Sequence, residues 1–95
     1  MLVAKAEYRV KADFAARNLA NIRAFLPEAR RRLRTGSSYS VAIGEDGVSF
    51  LHLFFHEDAS EGAMLGAISA FATFLSELME GGCEAPPAIA HYEEL

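Results

Sequence analysis

Ninety-five residues and 10.4 kDa match one compact domain, residues 1–95, with no room for a second. A chain that is 52% hydrophobic and 23% charged is too apolar for disorder, yet no apolar run approaches the roughly 20 residues of a membrane helix. A net charge of −4, charges within the first ten residues and a single cysteine exclude a basic nucleic-acid binder, a secretion signal and an internal disulfide, so the expectation is a cytoplasmic protein without nucleic-acid or membrane partners.

Leu2 to Lys11 alternates, with Leu2, Ala4, Ala6, Tyr8 and Val10 on one face and Val3, Lys5, Glu7, Arg9 and Lys11 on the other. A period of two predicts a strand. Asp13 stands where a helix N-cap belongs. Leu19, Ile22, Leu26, Ala29 and Leu33 then form the apolar stripe of an amphipathic helix over about 14–34. Pro27 predicts a kink or break, because it cannot donate to the carbonyl four residues back. Arg30, Arg31, Arg32 and Arg34 complement the helix dipole, and Gly36 is a plausible stop.

Residues 37–44 and 48–56 read as two strands, joined by a hairpin at Gly44-Glu45-Asp46-Gly47. The second of these strands, VSFLHLFFH, is apolar on both faces, so it should be central and covered on both sides. Ser60 is the expected cap of a second helix whose apolar face runs through Leu65, Ile68, Phe71, Leu75 and Leu78 until Gly81-Gly82 ends it. A stiff Cys83–Pro87 connection leads to a short strand over 88–94.

The order βαββαβ, with right-handed crossovers, predicts an α+β ferredoxin-like domain: a four-stranded antiparallel sheet with two helices on one face. The other face then needs a cover. The simplest cover is a second copy, giving a homodimer through the open sheet face and a barrel between subunits.

The charges are also segregated. Residues 1–34 carry all nine Lys and Arg against three acids, and the remainder carries ten acids and no Lys or Arg. This predicts either a basic patch facing an acidic partner, including a second subunit, or two segments that interleave in the fold.

The chain resembles the dimeric α+β barrel superfamily, and within it the small proteins related to antibiotic-biosynthesis monooxygenases. The resemblance is carried by Tyr8-Arg9-Val10-Lys11, Gly36-x-x-Tyr39, Glu45-Asp46-Gly47-Val48-Ser49-Phe50-Leu51-His52, Phe71-x-x-Phe74 and Cys83-x-x-Pro86-Pro87. The last two groups look most like a branch without assigned activity. The resemblance implies a pocket between sheet and helices. It also implies relatives that include cofactor-independent oxygenases of aromatic polyketides, haem-degrading oxygenases and proteins with no known activity. The enzymes of the family commonly carry a tryptophan in a Trp-Glu-Asp-like context where the third strand ends. Here that context reads His56-Glu57-Asp58, and the chain has no Trp. Haem-degrading relatives pair the tryptophan with an asparagine on the first helix, for which Asn18 or Asn21 could stand, and a histidine on the second, which has none here. Haem chemistry of that type is not expected.

Among residues that could carry chemistry, His52 and His56 are four apart, which on a strand is about 13 Å and too far for one ion. No metal site and no cofactor are expected. His52, between Phe50 and Phe54, is either a pocket acid–base or a satisfied core histidine, and His56 either a ligand group or a loop fastener. Tyr8 and Tyr39 are the other candidates for catalysis, since polar-tipped aromatics suit a planar ligand, though also a subunit contact. Phe71 and Phe74 could line the pocket with His52 and His56, or simply be core. The Arg30–Arg34 cluster could hold an anion or be an exposed helix end. Cys83 has no cation near it in sequence to stabilise a thiolate. The functional expectation is a dimer binding a small apolar or aromatic ligand. Its alternative is a cofactor-independent monooxygenase-like enzyme acting on an aromatic or polyketide-like substrate.

Overall fold

A computed structural model describes residues Met1–Leu95. The strands are β1 (Leu2–Arg9), β2 (Ser38–Ile43), β3 (Ser49–His56) and β4 (Ala88–Glu93), and the helices are α1 (Ala15–Arg32), α2 (Ala59–Ala67) and α3 (Ser69–Glu77). The sheet runs β2-β3-β1-β4 with every pairing antiparallel, the ferredoxin-like arrangement. The doubly apolar strand is indeed central: β3 lies between β2 and β1. The hairpin forms at the expected glycines. Gly47 N donates to the Gly44 carbonyl at 3.0 Å with a φ of +74°, and Asp46 Oδ1 accepts from Val48 N and Ser49 N.

The helical layer has three helices where two are expected. The second helix breaks at Ile68, whose backbone is extended, and the segments on either side meet at 83°. Gly62 and Gly66 weaken α2, each by about 1 kcal/mol relative to alanine, and the bend lets both Leu65 and Ile68 reach the core. The caps differ as well. Asp58 caps α2, accepting from Ser60 N at 3.0 Å, so Ser60 is the second residue of the helix rather than its cap. Asp13 caps nothing: it sits in a short 3-10 turn over Ala12–Phe14, and α1 starts at Ala15 with no side-chain cap. Pro27 does not end α1, which continues to Arg32. Pro27 and Arg23, whose carbonyl loses its partner, both lie on the exposed side, where water can satisfy that oxygen. The buried face of α1 is Asn18, Asn21, Ile22, Phe25 and Ala29, with Leu19, Leu26 and Leu33 at its margin.

The core lies between the sheet and these helices. Tyr8, Phe50 and Phe54 from the sheet meet Ile22 and Phe25 of α1 and Phe74 of α3. On the sheet's other face Leu51, Leu53 and Phe55 are half-buried beside Val3, and no further layer of this chain covers them. No single helix is long and apolar enough to cross a membrane.

The segregated charges interleave. Arg9 faces Glu84 at 3.9 Å, Arg17 binds Glu77 at 2.7 Å, and Arg34 binds Asp58 at 3.0 Å and Glu57 at 3.4 Å. Buried Glu61 adds a staple between α2 and the α1–β2 loop. Burial alone would raise its pKa, but the Glu57 N–H, the Ser37 hydroxyl and the Arg34 N–H hold the carboxyl below its usual range.

After α3 the chain makes a wide π-type turn over Leu78–Gly82, with Gly81 at a φ of +118°. A Cβ on buried Gly82 would lie 2.5 Å from the Phe14 ring. Gly82→Ala should therefore destabilise the fold by about 1–3 kcal/mol, read as a shift in urea midpoint. The same change in a Phe14→Leu background should cost clearly less.

Candidate functional site

The middle of β3 buries a histidine with a phenol on each nitrogen. Tyr8 Oη lies 2.7 Å from His52 Nε2, and Tyr39 Oη lies 2.8 Å from His52 Nδ1. The register explains the clamp. His52 stands opposite Ala6 on β1 and Val41 on β2, while Tyr8 stands opposite Phe50 and Tyr39 opposite Phe54. The two tyrosines are thus diagonal neighbours of His52 in opposite directions, a separation that long aromatic side chains span. The small Ala6 leaves the ring room.

A fourth polar group comes from α1. Asn18 Nδ2 donates to Tyr8 Oη at 3.1 Å, Asn18 is fully buried, and its Oδ1 has no hydrogen-bond donor. One turn along, Asn21 Nδ2 donates to Glu77 Oε1 at 2.9 Å. Arg17 grips the same carboxylate with two nitrogens, and these bonds, Arg17 first, hold Glu77 down at about 2. That clamp fixes α1 against α3 beside the polar chain.

The surroundings are aromatic. Phe74 stacks on the His52 ring with centroids 5.4 Å apart, Tyr8 stacks on Phe50 at 5.5 Å, and Phe25 meets Tyr39 edge-on at 5.6 Å. Burial pushes the His52 pKa down to about 4, so the imidazole is neutral at pH 7. Burial pushes both phenols up, so they keep their protons.

The fold thus brings together His52, Tyr8, Tyr39 and Phe74. It leaves two candidates apart. Phe71 does not meet the His52 ring: it packs behind it, 5.7 Å from the Phe74 ring and 5.0 Å from the Phe25 ring. His56 stacks on Phe54 at 4.2 Å, and its Nδ1 donates to the Asp58 carbonyl at 2.9 Å, the geometry of a loop fastener. No three His, Cys, Asp or Glu side chains converge as metal ligands. The arginine cluster is engaged within the chain: Arg31 and Arg32 with Glu28, Arg30 with the Tyr39 carbonyl, and Arg34 with the α2 cap. Cys83 is a half-buried free thiol pushed up by burial.

The pocket implied between sheet and helices is not open. Phe25 and Phe74 fill the space over His52, and two cavities lie elsewhere. One of about 690 Å³ sits at the hairpin end of the sheet, lined by Arg9, Ser49, Leu51, Glu84 and Pro86 and bordered by Tyr8. One of about 230 Å³ lies between Leu78, Met79, Cys83 and Pro87. Neither is lined by His52 or Asn18.

A crystal structure of an antibiotic biosynthesis monooxygenase superposes on the whole chain with a TM-score of 0.84 at 13% identity, and the match covers 99% of that chain. The two chains share one fold. Proteins from Mycobacterium tuberculosis (TM-score 0.80, 16% identity, 99% and 94% of the two chains) and Pseudomonas aeruginosa (TM-score 0.81, 17% identity, 99% and 93%) share the architecture. No family model and no curated protein matches the chain in sequence. The likeness is therefore one of fold alone.

The His52 environment has a consequence for stability. Its pKa falls from 6.5 to about 4 on folding, so the unfolded chain takes up a proton first as pH drops. Stability should be full above about pH 7 and fall between pH 6.5 and 4, by at most about 3 kcal/mol. The depressed carboxylates Asp58 and Glu77, at about 2, add their losses below that window. Urea midpoints across pH 4–8 should show the fall, and His52→Gln should flatten it.

Proposed function

We propose that this chain is a cytoplasmic homodimer whose subunits each bind a small aromatic ligand between sheet and helices, centred on His52. One observation carries the reading: the Asn18–Tyr8–His52–Tyr39 chain set inside an aromatic core. A buried polar chain that serves the fold alone pairs all of its atoms, and here Asn18 Oδ1 is left unpaired at a cost in free energy. Rings that stack on His52 and Tyr8 also suit a planar guest. Phe74 must move for a guest to enter, so binding selects an opened helical layer. The free thiol of Cys83 fits a reducing compartment. The half-buried Val3, Leu51, Leu53 and Phe55 on the uncovered sheet face support a second copy as its cover.

A second reading is oxygenation of an aromatic or polyketide-like substrate by O2 without a cofactor. It is favoured by the buried Tyr8–His52–Tyr39 chain, along which a proton from a substrate hydroxyl can be relayed. The folds of the neighbours include one named as a monooxygenase.

Native mass spectrometry of the purified protein should show a dimer, with bound mass where a ligand is retained. Phe55→Glu should give a monomer of unchanged circular dichroism. A wild-type monomer at low micromolar concentration would remove the dimer. In thermal shift assays, planar aromatic compounds should raise the melting temperature, and no response across the panel would remove the ligand site. Oxygen uptake with a quinol panel, lost in a dimeric His52→Gln variant, would establish the second reading over simple binding.

A further inference from the structure

We propose that Asn18 and Tyr8 form a subsite for one hydroxyl group of the ligand, an inference that rests on the ligand site proposed above. Counting protons leads to it. A neutral His52 carries one N–H, and Tyr8 and Tyr39 carry one O–H each. Three polar hydrogens thus serve two contacts, Tyr8···His52 and Tyr39···His52. One phenolic hydrogen is left over in either tautomer.

With the proton on Nδ1, Tyr8 donates to Nε2 and the spare hydrogen belongs to Tyr39. With the proton on Nε2, Tyr39 donates to Nδ1 and the spare hydrogen belongs to Tyr8. Tyr8 Oη then accepts from both His52 Nε2 and Asn18 Nδ2. In that state two unsatisfied functions stand one amide apart: the Tyr8 O–H, which needs an acceptor, and Asn18 Oδ1, which needs a donor.

A hydroxyl satisfies both, accepting from Tyr8 and donating to Asn18. A carbonyl or an ether accepts from Tyr8 but leaves Asn18 Oδ1 unpaired, and an ammonium does the reverse. The class of ligand is therefore an aromatic that carries a free hydroxyl, and its binding selects the Nε2–H tautomer of His52. Asn18 is the specificity-determining residue, and Tyr39 holds the tautomer from the far side.

The experiment compares 2-naphthol with 2-methoxynaphthalene on the full-length protein at pH 8, by calorimetry and by nitrogen-15 NMR of the histidines. Naphthol should bind tighter by about 10- to 100-fold, and should move His52 to the Nε2–H form. Asn18→Leu, of similar volume, should bring the two affinities within about twofold by weakening naphthol alone. If Asn18→Leu does not fold, Tyr8→Phe must show the same selective loss.

Equal affinities in the wild type, or an unchanged preference in both variants, would overturn the subsite and leave the ligand site standing. So would a slowly exchanging water at Asn18 that persists when naphthol is bound. Failure of both probes to bind would overturn the ligand site and the subsite together.

Discussion

A neutral imidazole buried in the middle of a sheet needs a hydrogen-bond partner on each ring nitrogen, and only a central strand can receive them from two neighbours. His52 meets this condition with Tyr8 from β1 and Tyr39 from β2, at 2.7 and 2.8 Å. Strand order and register bring both phenols to the ring, and the small Ala6 stands opposite it. A register slip of one residue would turn His52 to the open face, leaving Tyr39 without its partner and Tyr8 with Asn18 alone. The polar clamp therefore specifies the sheet pairing as well as occupying its core.

The helical layer is held to this sheet by chemistry of two strengths. Phe25 and Phe74 supply the apolar contact over His52 and Tyr39. Around them run the charged fasteners: the Arg17–Glu77 clamp, the Arg34 contacts to the α2 cap, and the buried Glu61 staple. Exposed ion pairs contribute little each. Their placement matters more, because each joins the basic N-terminal third to the acidic remainder. That is why a chain so unevenly charged in sequence has paired positive and negative groups on its folded surface.

The neighbours share 13–17% identity with this chain, and the architecture persists at that distance. What persists is the layer arrangement, which depends on the pattern of apolar and polar positions. The site does not follow from the fold alone. At the end of β3, His56 fastens the loop onto the α2 cap through the Asp58 carbonyl. The buried polar groups of this chain gather instead at His52 and its phenols.

Much of this protein was legible from residue order. Alternation in β1, the Asp-Gly hairpin and the two apolar faces of VSFLHLFFH depend on local periodicity and turn chemistry, which act within a few residues. They determined the strands, the central place of β3 and the candidates His52, Tyr8 and Tyr39. Asn18 could be noticed only as a possible family asparagine. Its bond to Tyr8, ten residues away, comes from where α1 lands on the sheet. Phe25 escaped because the apolar stripe was drawn through Leu19, when packing against α3 turns Asn18, Asn21 and Phe25 inward. The break at Ile68, the continuity of α1 through Pro27, and the separation of His56 and Phe71 from His52 were likewise decided by tertiary structure. At Ile68 and Pro27, packing of the helices' buried faces against distant elements outweighed local preferences worth about 1–3 kcal/mol, and no local pattern records which distant element will arrive.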